Sequence, residues 1–514
     1  MADYDLLVVG AGAAGLLAAV AARRLGGRVL VVDAEPLAGG STAVTDGELW
    51  LPANHLAQKG SQADSAEDAA AYLDALLGPA TAASSAERRA AHVRTSGKLA
   101  RWLTSSNIAM APLKGAGDLH PSLPGARAQG RVLTTLPVDR RVLGDWEDRL
   151  RSDGAGGRGP IARFLPGRRT TRTAGEALVT HLLHRATANG VEVWLDSPVV
   201  DLLADEDGVT GVVVRREDAD TPVTATRVLL ASGGFEHNQS LREEYLPLPT
   251  DAAWSTSVGA NNGDLLNLAV AHGAATAGLE DAWWLPVMVA EGAAWSLEDA
   301  RVRPHGVIVD SAGDRFFDES APANSAGRAL YERSRGVRAV PSYLVLDNRH
   351  RQDVALGPWP AGSTPRKALD AGEIVRAHTL NDLAQALGVD RAGLLGTIVR
   401  FNGFAAKGKD LDFSRGESSP KGAAERGRRR SPGLGKVDKP PFWAVKVYPG
   451  DAGTKGGLLV DARARVLRQD GTPLPGLYAC GGAAASLFTG TSPAPGAALG
   501  SALVEAFLAA TDQG

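Results

Sequence analysis

The chain has 514 residues, with 55 Lys and Arg against 58 Asp and Glu, one Cys and seven Tyr. That length can bury a large core unaided, and Cys480 alone excludes a disulfide framework and a Cys-built zinc site. A net charge of −3 with interspersed signs argues against a nucleic-acid partner, and 44% hydrophobic content argues against global disorder.

Leu6 to Ala22 is apolar, but it follows the acidic start Met-Ala-Asp-Tyr-Asp and contains Gly10, Gly12 and Gly15. It reads neither as a signal peptide nor as a membrane span, so a cytoplasmic location is expected. Asp5 to Gly10 has the continuous apolar run of a buried parallel strand. Gly10-Ala-Gly-Ala13-Ala14-Gly15 then opens a helix to Arg24, and Val29 to Asp33 forms a second strand. In this context the glycines divide the work: Gly10 allows the turn, Gly12 admits a pyrophosphate, and Gly15 packs helix on strand. The first N–H groups of the helix face the phosphates. Asp33, 18 residues past Gly15, suits a ribose hydroxyl. Gly39-Gly40-Ser41-Thr42 adds a second glycine turn near the same strand ends. A nicotinamide dinucleotide needs no such element, whereas the ribityl and second phosphate of a flavin do; an ordinary loop is the alternative.

Ser65-Ala-Glu-Asp68 starts a helix with Tyr72, Leu73, Leu76 and Leu77 on one core-facing stripe. Another helix, from Gly175 to about Asn189, precedes short strands at 191–195, 199–203, 209–216 and 228–230 that read as a β-meander. A tight glycine turn follows at Ala231-Ser232-Gly233-Gly234. Segment 279–440 lacks nucleotide-type loops and reads as a separate substrate-covering domain. Within it, 407–439 is basic, and Arg426 to Arg430 suits either an acidic partner or a solvated loop. Gly476 to Gly482 and Gly496 to Gly500 repeat the strand–glycine–helix logic, so the C-terminus is expected to close the nucleotide domain.

These pieces together resemble the 3-ketosteroid Δ1-dehydrogenases and flavin-dependent fumarate reductases, closer to the former. The resemblance is carried by Gly10–Gly15, Gly39–Thr42, Ala231–Asn238, Asn262-Gly-Asp264 and Asp281-Ala-Trp283-Trp284. Further along it is carried by Gly313–Glu319, Asp438–Phe442, Gly453-Thr-Lys-Gly-Gly457 and Gly476–Gly500. It implies an α/β fold: a Rossmann-like FAD-binding domain with a β-meander (1–278 and 441–514) and an inserted α+β catalytic domain (279–440). It implies noncovalent FAD, with contacts at the glycine motifs and at Ala34, Val199, Ser232, Gly233, Asn262, Asp264, Gly481, Gly482, Ala498 and Leu499. The helix starting at Gly496 would point at the pyrimidine end of the flavin and favour negative charge on the reduced ring.

The reaction implied removes a proton beside a ketone and a hydride from the next carbon. It needs an oxyanion donor, a base and the flavin. The family supplies tyrosines for donor and base, and this chain departs at each place: Ser492, Ala323, and Leu119-His120 stand there instead. Gly496 keeps its place and its N–H. Replacement acid–base candidates are His120, Asp46 and Glu48, each with a solvent-facing alternative; Asp118 is a candidate to orient His120, which the sequence alone does not show. Lys455 is expected to make structural hydrogen bonds, and Cys480 to be packed. Trp283 and Trp284 are expected to line the pocket, with core packing the alternative for one.

The leading reading is an FAD-dependent dehydrogenase that introduces a C=C or C=N bond beside an activating group in a small hydrophobic cyclic substrate. Electrons would pass to an unidentified acceptor. Rival readings are an ene reductase of the fumarate-reductase type and a flavin-binding protein that has lost catalysis.

Overall fold

The computed structural model describes residues 2–57, 63–152, 171–416 and 433–512; the basic run 426–430 lies outside them. Strands Leu6–Val9, Val29–Val32, Glu192–Trp194, Val228–Leu230 and Pro473–Ala479 run parallel in one sheet, edged by an antiparallel strand Arg465–Leu467. Leu6–Val9 and Val29–Val32 are buried throughout, because both faces of the sheet are covered. Alternate side chains pack to opposite sides. Leu6 and Val8 pack with helices Ala13–Arg24, Ala174–Ala188 and Ala497–Thr511, while Leu7 and Val9 pack against the meander and Phe235.

The meander itself comprises Val199–Ala204, Val209–Arg216 and Ala219–Thr224. The expected strands at 192–194 and 228–230 belong instead to the parallel sheet, where they pair with Val29–Val32 and Leu6–Val9. Ala219–Thr224 escapes pattern reading because its first four residues are exposed and lack an apolar alternation. The C-terminal strand enters the nucleotide sheet beside Val228–Leu230, as expected.

A second sheet is built around the 13-residue strand Phe442–Thr454. It pairs with Ala282–Ala290, Ser342–Leu346 and Val375–Ala377, and ends at the Thr454-Lys455 step beside the cavity. Two helices, Ala66–Leu77 and Ala86–Ser105, flank the short strand Leu49–Trp50. Ser65 caps the first, its hydroxyl accepting from Asp68 N at 3.0 Å. Among the described residues no helix is long and apolar enough to cross a membrane.

Arg242, on helix Gln239–Tyr245, and Asp451, on the long strand, form an ion pair at 2.7 Å with both side chains wholly buried. Removing one partner leaves an uncompensated buried charge. Asp451→Ala is therefore expected to lower stability by about 3–5 kcal/mol, measured by chemical denaturation.

Candidate active site

One large cavity opens at the carboxyl ends of the parallel strands, where Val9, Asp33, Ala231 and Cys480 reach its wall. The three glycines of the first loop behave as their spacing predicts. Gly10 has φ +116°, and a side chain there would collide with the Ala231 carbonyl. A side chain on Gly12 would meet no atom within 4 Å, so its face is open to the cavity. Gly15 packs against the backbone of Gly10, and a Cβ there would touch Val8 at 3.0 Å. The helix Ala13–Arg24 thus starts at an open backbone face suited to a pyrophosphate.

The second glycine turn lies directly against the first. Gly39 N donates to Ala11 O at 2.9 Å, and a Cβ on Gly40 would approach Gly12 Cα at 3.4 Å. Asp33 accepts from Ala11 N at 2.6 Å and from Glu35 N at 2.9 Å; burial raises its carboxyl above the usual range against those two bonds. The turns Ser232–Gly234 and Gly481–Gly482 meet so closely that a Cβ on Gly482 would lie 2.7 Å from Gly234 N. Ala13, Ala14, Ala34, Ser41, Thr42, Val199, Asn262, Asp264, Ala498 and Leu499 also line the cavity. Two crossing glycine turns, an open helix start and an acid at the second strand end fit FAD.

Other cavity groups have weaker sequence signals. Asn261 Nδ2 donates to Ser41 Oγ at 3.0 Å and to Glu236 Oε1 at 2.6 Å, joining the second turn to the Ala231–Asn238 segment. Glu505, on the last helix, accepts from Gly481 N at 3.0 Å and from Arg88 at 2.7 Å. Burial raises the carboxyls of both Glu236 and Glu505. Arg151 reaches the cavity wall with its guanidinium on Glu35 at 2.8 Å. These four residues are brought in from separate segments, and only Glu236 sits inside a recognisable motif.

His120, Ser492 and Gly496 are not among the cavity's lining residues; the loop 490–496 that precedes lining residues Ala498 and Leu499 meets His120. His120 Nε2 contacts the Ser492 carbonyl at 3.2 Å. Nε2–H then donates, and Nδ1 carries the lone pair. Burial holds this imidazole below its ordinary range, with the Ser492 carbonyl opposing. Leu119 N and the Tyr72 hydroxyl both donate to Pro493 O, at 2.8 and 2.7 Å. Tyr72, expected only as core, is core and also braces this loop. Ser492 is half-buried, and its hydroxyl makes a 3.4 Å contact with Ala494 O. Gly496, with φ +77°, packs against the backbone of Glu48 and Leu49.

Several expectations are corrected. Asp118 does not orient His120: its oxygens take Trp50 Nε1 at 2.9 Å, Arg127 N at 2.8 Å and Arg131 at 2.7 Å. Trp284 does not line the pocket. It is 3% exposed in the core, with Nε1 on Asp281 at 2.8 Å, whereas Trp283 lines the cavity. Asp46 is exposed, and Glu48 reaches the site through its backbone contact with Gly496. Neither carboxylate lines the cavity. Gly15 and Gly39 shape the turns from behind its wall. Cys480 is packed, and burial pushes its thiol well up.

A dinucleotide fold with a second sheet and a large cavity at the strand ends that fits FAD defines a flavin-dependent oxidoreductase. The family described as FAD binding domain matches residues 5–499. The chain is 34% identical to the 3-oxosteroid 1-dehydrogenase of Mycolicibacterium smegmatis, over 99% of this chain and 97% of that protein. It is 32% identical to the 4-oxocyclohexanecarboxylate 2-dehydrogenase of Sinomonas cyclohexanicum, over 98% and 92%. The crystal structure of 3-ketosteroid Δ1-dehydrogenase from Sterolibacterium denitrificans superposes with a TM-score of 0.92 at 33% identity, covering 99% of this chain and 98% of that one. The chain belongs to the 3-ketosteroid Δ1-dehydrogenase family: it is an FAD-dependent enzyme acting on CH–CH groups.

Gly12 gives a direct test of the cofactor site. Gly12→Ala adds a Cβ that meets no protein atom within 4 Å, so the variant is expected to fold and to lose most of its FAD. Flavin absorbance of the purified protein, with circular dichroism as the control for folding, checks this.

Proposed function

We propose that this enzyme dehydrogenates a small hydrophobic cyclic ketone, forming a C=C bond beside the carbonyl. The observation that carries the reading is the meeting of His120 with the loop that holds Ser492 and Gly496. Two relatives named for cyclic oxo compounds, one a steroid and one a single ring, support the substrate class. FAD, held noncovalently by the glycine turns, supplies the hydride acceptor at N5.

The remaining work falls to this chain. The Ser492 hydroxyl and the Gly496 N–H donate to the substrate carbonyl and stabilise the enolate oxygen as it gains charge. His120, neutral and with its lone pair on Nδ1, takes the proton from the carbon beside that carbonyl. Trp283 supplies an apolar wall against the ring. Glu48 and Asp46 are the second candidates for the base, Glu48 because its backbone lies on Gly496. We propose that 1–278 and 455–514 form the FAD-binding part and 279–454 the capping part: strand Phe442–Thr454, expected in the FAD-binding part (441–514), pairs instead with Ala282–Ala290, Ser342–Leu346 and Val375–Ala377 of the capping sheet. Electrons then leave to a separate acceptor.

The test is anaerobic bleaching of the flavin by a panel of saturated cyclic ketones, with enones offered to the reduced enzyme. Bleaching by ketones supports dehydrogenation, and reoxidation by enones alone supports the reverse reaction. His120→Ala is expected to slow bleaching by about 10²-fold or more while FAD stays bound. Asp46→Asn and Glu48→Gln should keep near wild-type rates; a large loss in either would move the base to that carboxylate. His120 acts when unprotonated and is depressed below the ordinary imidazole value of 6.5. The acid limb of the rate should therefore lie at lower pH than an ordinary imidazole would give, and His120→Ala should abolish it.

A further inference from the structure

Lys455 leaves the long strand of the second sheet and is fixed at its root. Its N–H donates to Asp281 O at 2.9 Å, and its carbonyl accepts from Ser486 N at 2.8 Å. The buried Nζ lies 2.9 Å from Asn324 Oδ1, 2.8 Å from Thr491 O and 3.4 Å from Asp281 Oδ2. It also stands 4.7 Å from the ring centre of Trp283, which lines the cavity. Asp281 Oδ2 in turn accepts from Gly490 N at 2.6 Å. The turn 490–491 is therefore gripped at both its N–H and its C=O by one ion pair.

The position of this pair is informative. Asn324 follows Ala323, and Thr491 precedes Ser492, the two places where the family resemblance implies tyrosines. A single buried cation bridges the Asn324 side chain and the Thr491 carbonyl, one beside each place. We propose that Lys455 is the positioning residue of the 490–496 loop, clamping it with Asp281 so that Ser492 and Gly496 stand at the substrate carbonyl. The proposal rests on the reading of that loop as the oxyanion site.

An ammonium has three N–H donors for the three acceptors around it, whereas a neutral amine has two. Deprotonation therefore releases one contact and the attraction to Asp281. Asp281 and Arg328 are the charged groups that bear on Lys455; Asp281 favours the ammonium and Arg328 opposes it. Burial outweighs Asp281 and brings Lys455 down to about 8. The clamp is closed below that pH and opens as pH rises through it.

Two measurements test this. In protein labelled with 13C at lysine Cε, the resonance absent from Lys455→Arg is expected to titrate near pH 8 in wild type and at lower pH in Asp281→Asn. Flavin bleaching by a cyclic ketone is expected to fall about tenfold from pH 7 to pH 9, following one ionisation. Lys455→Arg, slower overall, should lack that alkaline limb because guanidinium stays charged. Titration of the Lys455 resonance with the exposed lysines, above about pH 10, would overturn the proposal. So would an unchanged alkaline limb in Lys455→Arg. If no ketone bleaches the wild-type flavin, the proposed reaction fails, and the lysine titration still decides the clamp.

Discussion

The site depends on one backbone contact. Gly496 opens the last helix in a left-handed conformation, and a Cβ there would lie 2.5 Å from the Glu48 carbonyl carbon. Its carbonyl accepts from Trp50 N at 3.0 Å and from Gly500 N at 2.8 Å, so one oxygen ties the start of that helix to the segment leaving the second glycine turn. The N-terminal and C-terminal portions of the chain are locked together at the point where the helix N–H groups face the cavity. The loop before Gly496 inherits that anchor. Pro493 is held by Leu119 and Tyr72, Ser492 by His120, and the turn 490–491 by Asp281 and Lys455.

This arrangement sorts the ionisable groups by what their lone pairs are doing. Asp33, Glu236 and Glu505 border the cavity, yet each has oxygens committed to neighbouring turns. Burial raises all three carboxyls, and the hydrogen bonds to the neighbouring turns oppose it. They serve to fix glycine turns against one another. His120 differs: the hydrogen bond it makes among the described residues, to the Ser492 carbonyl, uses a ring N–H and leaves the second nitrogen for the proposed base role. Burial there keeps the imidazole neutral, which for a base is the working form.

Local physics accounts for what the sequence disclosed. Each glycine of the first loop has a reason confined to a few residues, so strand, turn and helix could be read together with their ligand. Strand Glu192–Trp194 was harder, because three residues of mixed character do not say which sheet will accept them. The Trp283-Trp284 pair illustrates the same limit. Neighbouring residues on a strand face opposite sides, so one had to be core, but only the pairing of Ala282–Ala290 with Phe442–Thr454 decides which. Asp118 and His120 lie two apart in a turn, where no alternation carries both to one face. Lys455, Asn324, Asp281 and Thr491 come from four separate stretches, and no spacing announces their meeting.

The replacement of tyrosines then has a physical consequence for proton handling. A phenol has an ordinary pKa near 10 and serves as donor over a wide pH range. Here the corresponding places are served by an imidazole below its usual range and, through the backbone, by an ammonium near 8. In the proposed reaction His120 works without its extra proton, whereas the proposed clamp needs Lys455 with its proton. On the proposed roles the alkaline limit lies near 8, set by Lys455, and the acid limit lies below the ordinary imidazole range. Burial creates both limits at once: it lowers the imidazole, widening the acid side, and lowers the lysine, narrowing the alkaline side. The same exclusion of water that strengthens the oxyanion donors thus also fixes the pH interval over which they can be used.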